Sequence, residues 1–172
     1  MNKAFGLTRV LVWAIAAAHL AVLPAQADEV PGHVIEAFGE QLVNAQGEAV
    51  SPAQLEGKKI GLYFSAEWCP PCRTFTPRLV EAYNELKEAG KPFEIIFVSH
   101  DRTEDAMLNY MQGYDMDWPA IAFDADKRDA LKQQHGIRGI PTLIIVDDKG
   151  EVLSRDGRNE VTARGAEAFE NW

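Results

Sequence analysis

The sequence predicts an α/β domain, a mixed β-sheet covered by helices on both faces. Three observations predict it. Apolar runs of strand length recur at Lys59–Ser65 (KIGLYFS), Phe93–Ser99 (FEIIFVS) and Thr142–Val146 (TLIIV), with a shorter one at residues 120–123. Strands that are apolar throughout are buried on both sides, as in sheets sandwiched between helix layers. Between these runs the apolar residues recur at helical spacing instead, so strands and helices alternate. After the last run, Asp148-Lys149-Gly150 turns the chain back into residues 151–154 as a hairpin, which brings in an antiparallel pair.

The chain starts with Lys3 and Arg9 and no acid. A mostly apolar stretch from Val10 to Leu23 follows, and Ala25-Gln26-Ala27 has the small-x-small pattern at which signal peptidase cuts. The expected division is a signal peptide over residues 1–27, cut after Ala27, and one domain over 28–172, in the periplasm or outside the cell. The apolar stretch is shorter than the roughly twenty residues of a membrane span, and His19 interrupts it; an uncleaved anchor is the alternative. Taking 27 residues from 172 leaves 145, enough for one substantial core. The removed stretch holds two bases and no acid, so 15 bases face 26 acids and the net charge is −11. A surface this acidic repels phosphates, which argues against nucleic acid as a partner. An apolar content of 47% separates the chain from charged disordered sequences.

Residues 41–44, a turn at Gly47 and residues 48–50 read as a short hairpin. Ser51-Pro52 then forms a helix start, with serine as the cap and proline at the first helical position. The strand Lys59–Ser65 leads into a helix whose apolar face is Phe75, Leu79, Ala82, Tyr83 and Leu86, ending at Ala89-Gly90. After the strand Phe93–Ser99 comes a helix over 103–113 carrying Ala106, Met107, Tyr110 and Met111. A helix over 126–135, closed by Gly136, follows the short strand at 120–123, and Pro141 opens the last central strand.

The chain has two cysteines, Cys69 and Cys72, and both lie at the junction of the first long strand and its helix, in SAEWCPPCRTFTP. A cysteine at a helix N-terminus feels the positive end of the macrodipole, which favours the thiolate, and the thiolate is the nucleophile. A gap of two residues puts the second thiol in the same turn, close enough to form a small disulfide ring. Cys69, at the exposed lip, is thus expected to attack a disulfide in another protein, and Cys72, one turn in, to resolve the mixed disulfide. Pro70 and Pro71 stiffen the first turn and remove two backbone donors. Stabilisation of the reduced form then falls to the dipole, the Cys72 amide and Arg73.

Other uses of the pair fit less well. A structural zinc site takes about four ligands, and His33, His100 and His135 are scattered without ligand spacing, so no metal and no bound cofactor are expected. A structural staple does not explain the strand-to-helix position or Trp68. A peroxidase would carry threonine or serine three residues before the reactive cysteine, where this chain has Ala66.

Phe64-Ser65-Ala66, then Trp68-Cys69-Pro70-Pro71-Cys72-Arg73 and Phe75-Thr76-Pro77, resemble the active-site signature of the tryparedoxin and nucleoredoxin branch of the thioredoxin superfamily. The resemblance continues through FEIIFVSHDR, WPAIAF and HGIRGIPTLIIVDDKGEV, covering residues 58–158. It implies a thioredoxin fold with an N-terminal extension. It also implies that Cys69 and Cys72 are the redox pair and that the Ile140-Pro141 bond is cis. An X-Pro bond adopts that form at little cost, leaving the Ile140 backbone to pair with an extended substrate segment. Trp68 would cover the rim of the pair, unless it only packs. Pro77 resembles the kink proline of the active-site helix. Tyr63 stands where ordinary thioredoxins carry a buried acid, so the proton acceptor for Cys72 is not visible; Glu67 is nearby but reads as solvated.

The expected activity is reduction of protein disulfides by an exported monomer. A strongly oxidising dithiol would need about 7 kcal/mol more stabilisation than a thioredoxin-like one, for a span of about 150 mV, and a helix terminus supplies about 0.3–2 kcal/mol. Net oxidase or isomerase action, or non-catalytic binding of extended peptides, are the alternatives. Members of the resembled branch are intracellular, so export implies a different electron supply, a membrane-borne or soluble thiol donor.

Overall fold

The computed structural model describes residues 30–172. It has seven strands: β1 (Leu42–Val43), β2 (Ala49–Val50), β3 (Lys59–Ser65), β4 (Phe93–Ser99), β5 (Ala120–Ile121), β6 (Thr142–Val146) and β7 (Val152–Ser154). They form one sheet in the order β2-β1-β5-β4-β3-β6-β7. β3, at the centre of the long strands, runs parallel to β4 and antiparallel to β6. Five α-helices cover the sheet: α1 (Gly32–Phe38), α2 (Pro70–Glu88), α3 (Glu104–Gly113), α4 (Ala125–Gln134) and α5 (Gly157–Arg164).

Alternation along the strands makes two cores, because successive side chains point to opposite faces. Tyr63, Phe93, Ile95, Phe97, Leu143 and Ile145 meet the buried faces of α2, α3 and α5. Ile60, Leu62, Phe64, Ile96, Val98, Ile144 and Val146 meet α1 and α4. The mixed sheet with helices on both faces is therefore the observed architecture. Gly61 belongs to the first face and has no room for more: a Cβ there would lie 3.1 Å from Leu143 Cδ1 and 3.2 Å from Phe93 Cζ.

The long elements lie where the sequence predicts them. Ser51 caps a 3-10 turn over Pro52–Leu55, its Oγ accepting the Ala53 N–H. Thr103 caps α3 and Asp124 caps α4 in the same manner. β5 is shorter than residues 120–123, because only Ala120 and Ile121 are in ladder register with β4 and β1. Three further elements carry too few buried residues to leave a pattern. α1 buries Val34 and Phe38, α5 buries Gly157 and Val161, and a 3-10 stretch over Gly165–Asn171 buries Ala168 and Phe169.

This topology converges on one point. The C-terminal end of β3, the end of β4 and the start of β6 are neighbours, through the pairs Ser65–Ser99 and Phe64–Thr142. The loops leaving and entering these ends surround the cysteines.

Candidate active site

Cys69 is the N-cap residue of α2, with Pro70 and Pro71 in the first turn, so the helix axis starts at the sulfur-bearing residue. No acid stands in that turn to offset the positive end of the dipole. The Cys69 carbonyl accepts the N–H groups of Cys72 (3.0 Å) and Arg73 (3.1 Å). The Cys72 amide, expected to serve the reduced sulfur, is thus engaged by the Cys69 backbone, and the Arg73 side chain is exposed. Cys69 and Cys72 are joined as a disulfide with Cα atoms 5.2 Å apart.

Both sulfurs are more covered than an exposed lip implies. Cys69 keeps 4% of its surface and Cys72 none, in a small cluster with Ala66 against which Ile140 packs. The order is as expected, with Cys69 the outer of the two. Cys69 Sγ lies 3.8 Å from the carbonyl oxygen of Ile140, and the Ile140-Pro141 bond is cis. Two stretches 71 residues apart thereby form one wall. Trp68 is 55% exposed, the most exposed large apolar side chain among the described residues. Its Nε1–H donates to the His100 carbonyl oxygen at 3.0 Å, which fixes the ring beside the end of β4.

Two groups of residues escape the sequence reading. The first is a lock on the loop before Cys69. Asp101 is buried, and its Oδ1 accepts the Glu67 N–H (2.9 Å) while its Oδ2 accepts the Ser99 hydroxyl (2.8 Å). Burial raises the Asp101 carboxyl above its usual range, opposed by these hydrogen bonds. Glu67 itself is exposed, as the sequence suggests. The signal was the Ser99-x-Asp101 spacing, which lets an Asp close onto a nearby hydroxyl.

The second is a cluster of buried hydroxyls beneath the disulfide. Thr76 Oγ1 donates to the Cys72 carbonyl oxygen (2.9 Å) and lies 2.7 Å from Tyr63 Oη and 2.6 Å from Tyr110 Oη. Ser65 Oγ is 3.2 Å from Tyr110 Oη. Burial pushes the phenols of Tyr63 and Tyr110 up, so both stay protonated. Tyr63 thus replaces a buried acid with a neutral hydroxyl group. Beside the site, burial lowers the pKa of His100, and Arg128 and Lys132 lower it further. Among the described residues no group of three or more His, Cys, Asp or Glu could hold a metal ion.

The comparisons match this geometry. A family model described as Thioredoxin-like covers residues 57–152. Nucleoredoxin of Bos taurus is 48% identical over 127 residues, 73% of this chain and 29% of the relative. The chain thus spans about three tenths of the length of the curated relatives it matches. Among solved structures, tryparedoxin from Trypanosoma brucei is 34% identical with a TM-score of 0.70, covering 79% of this chain and 95% of that one. Thioredoxin from Wuchereria bancrofti is 35% identical with a TM-score of 0.68, covering 78% and 93%.

The same kinship corrects one expectation. Nucleoredoxins are cytoplasmic and nuclear proteins, which overturns the periplasmic or secreted address read from residues 1–27. The signal peptide and its cut after Ala27 lie outside the described residues. A short apolar stretch ending in small residues is a pattern of composition, whereas the kinship rests on 127 aligned residues. Among the described residues no helix is long and apolar enough to cross a membrane. Thioredoxin-like proteins act on protein disulfides. With its Cys69–Cys72 pair at a helix start beside a cis-proline loop, this chain belongs to the thioredoxin superfamily, in the branch of the nucleoredoxins and tryparedoxins.

Proposed function

We propose that the chain is a thiol–disulfide oxidoreductase that reduces disulfides in other proteins. The observation that carries this reading is the placement of Cys69 Sγ, at the start of the 19-residue α2 and 3.8 Å from the Ile140 carbonyl. The helix terminus favours the thiolate of reduced Cys69. That thiolate attacks one sulfur of a substrate disulfide and the other sulfur leaves as a thiolate. Cys72, shielded and in the same turn, then attacks Cys69, releasing the second substrate thiolate and closing the Cys69–Cys72 disulfide. Two electrons pass to the substrate. Ile140 and Pro141 present backbone to an extended substrate segment, and Trp68 flanks it.

The surroundings of the sulfur support the reducing direction. A strongly oxidising pair needs several kcal/mol of extra stabilisation for its thiolate. The two prolines remove donors, the Cys72 amide is engaged elsewhere, and the buried group that holds the preceding loop is the acid Asp101, not a cation. A membrane-borne donor follows only from export, so the donor proposed is a thiol in solution. The protein acts as a monomer.

Partner capture tests the roles. Cys72→Ser is expected to accumulate mixed disulfides through Cys69, while Cys69→Ser accumulates none; the reverse pattern would exchange the two roles. Equilibration of the pair against glutathione tests the direction, and a potential well above the glutathione range would defeat the reductase reading.

A further inference from the structure

We propose that the substrate of this site is an acidic polypeptide segment, with carboxylates beside its disulfide received by arginines gathered around the Cys69–Cys72 pair. The inference rests on the exchange reading above and names the class of protein it acts on.

A groove of about 450 Å³ runs along the Ile140–Pro141 loop and is lined by Arg138, Arg155 and Arg158. A second, of about 310 Å³, lies against Pro71 and Phe75 of α2 and is lined by Arg78 and again by Arg158. The two meet at Arg158, so they form one cationic surface beside the disulfide. Among the described residues no Asp or Glu lines either groove. In a chain with 26 acids and 17 bases, that is the opposite of the overall balance.

Ion pairing sharpens the contrast. Among the described residues Lys58 and Lys87 pair with Glu94, Lys91 with Glu170 and Arg128 with Asp129. Among the described residues none of the four groove arginines has a carboxylate within ion-pair distance, and all four are exposed. Arg155 gives one N–H to the His135 carbonyl (2.9 Å), and the other three side chains make no hydrogen bond. A guanidinium offers five N–H donors in a planar fork that fits a carboxylate two bonds at a time. Unpaired cations facing one groove also draw an acidic partner in and turn a basic one away. The protein's own net charge of −9 repels an acidic partner elsewhere, so the arginines set where it docks.

The test uses the pre-reduced protein and three synthetic peptides with the same internal disulfide, flanked by glutamates, serines or lysines. At low salt the second-order rate constant for the glutamate peptide is expected to exceed that for the lysine peptide about tenfold, and the gap to close at high salt. Arg138→Ser and Arg158→Ser, whose side chains hold no bond in the fold, should each lower that ratio about two- to fivefold. A lysine peptide reduced as fast as the glutamate peptide, or a ratio unchanged in the double variant, would overturn the proposal and leave the exchange reading standing. Glutathione disulfide reduced as fast as the glutamate peptide would overturn it in favour of a low-mass anion. Failure to reduce any of the three peptides would overturn the exchange reading and this inference with it.

Discussion

The carboxylate of Asp101 accepts the backbone N–H of Glu67 at 2.9 Å, tying the end of β4 to the residue two places before Cys69. Asp101→Asn keeps an oxygen for that N–H, whereas Asp101→Ala leaves it unpaired. The alanine variant is expected to lose about 1–3 kcal/mol of stability and to slow exchange. The asparagine variant should recover most of the rate, which stopped-flow measurement of dithiol oxidation would read.

The same carboxyl gives a pH dependence with a definite sign. Its pKa is raised in the folded protein by burial, so the folded state binds the proton more tightly than the unfolded chain. That stabilisation is complete below the ordinary value of 3.8 and is lost as pH rises through the raised value. The stability of Asp101→Asn relative to the wild type should therefore climb across that window and then level off. Thermal melts of the two proteins from acid to neutral pH check it, and a difference independent of pH would contradict it.

Thr76 is the hub of the buried hydroxyls, and its loss touches two phenols at once. Thr76→Val removes the partner of Tyr63 Oη and one of the two partners of Tyr110 Oη. About 2–4 kcal/mol of destabilisation is expected. Tyr63→Phe, which removes donor and group together, should cost about 1 kcal/mol. Urea denaturation of both variants measures the difference.

Gly61→Ala places a methyl group 3.1 Å from Leu143 Cδ1 and 3.2 Å from Phe93 Cζ in the centre of the sheet. Overpacking of this kind costs about 1–3 kcal/mol. Since the strain sits between β3 and its two neighbours, β4 and β6, a shift in the denaturation midpoint without a change in its slope is the expected reading.

Trp68→Phe keeps a ring at the rim and deletes the N–H that reaches the His100 carbonyl. With the residue 55% exposed, stability should change by less than about 1 kcal/mol. Exchange with a protein disulfide should slow while exchange with a small neutral disulfide changes less, because the ring acts on a large partner. Equal slowing of both would remove Trp68 from the docking surface.

The parts legible in the sequence were those written in neighbouring residues. Ile60, Leu62 and Phe64 with Tyr63 between them could only be a doubly covered strand, and Cys69-Pro70-Pro71-Cys72 after Ser65 could only be a helix start. Ser99-x-Asp101 hinted at the local half of the lock, but its tie to Glu67, 34 residues away, was not legible because that contact exists only once β3 and β4 pair in register. Tyr63, Ser65, Thr76 and Tyr110 come together for the same reason, through α2 crossing the sheet. α5 escaped because Val161 is the one large side chain it buries. The arginine surface drew its members from α2, the loop before β6 and the chain after β7, so no stretch of sequence displayed it.

The wall around the sulfurs is assembled from segments made at different times. A ribosome delivers Cys69 and Cys72 long before Ile140, 71 residues later. Until β6 is made and takes its place beside β3, a growing or truncated chain carries two thiols with neither the Ile140 cover nor Arg155 and Arg158. Such a fragment, ending before Thr142, would be an indiscriminate thiol reagent, so selectivity in this fold is acquired only once β6 and the segment after β7 have been made.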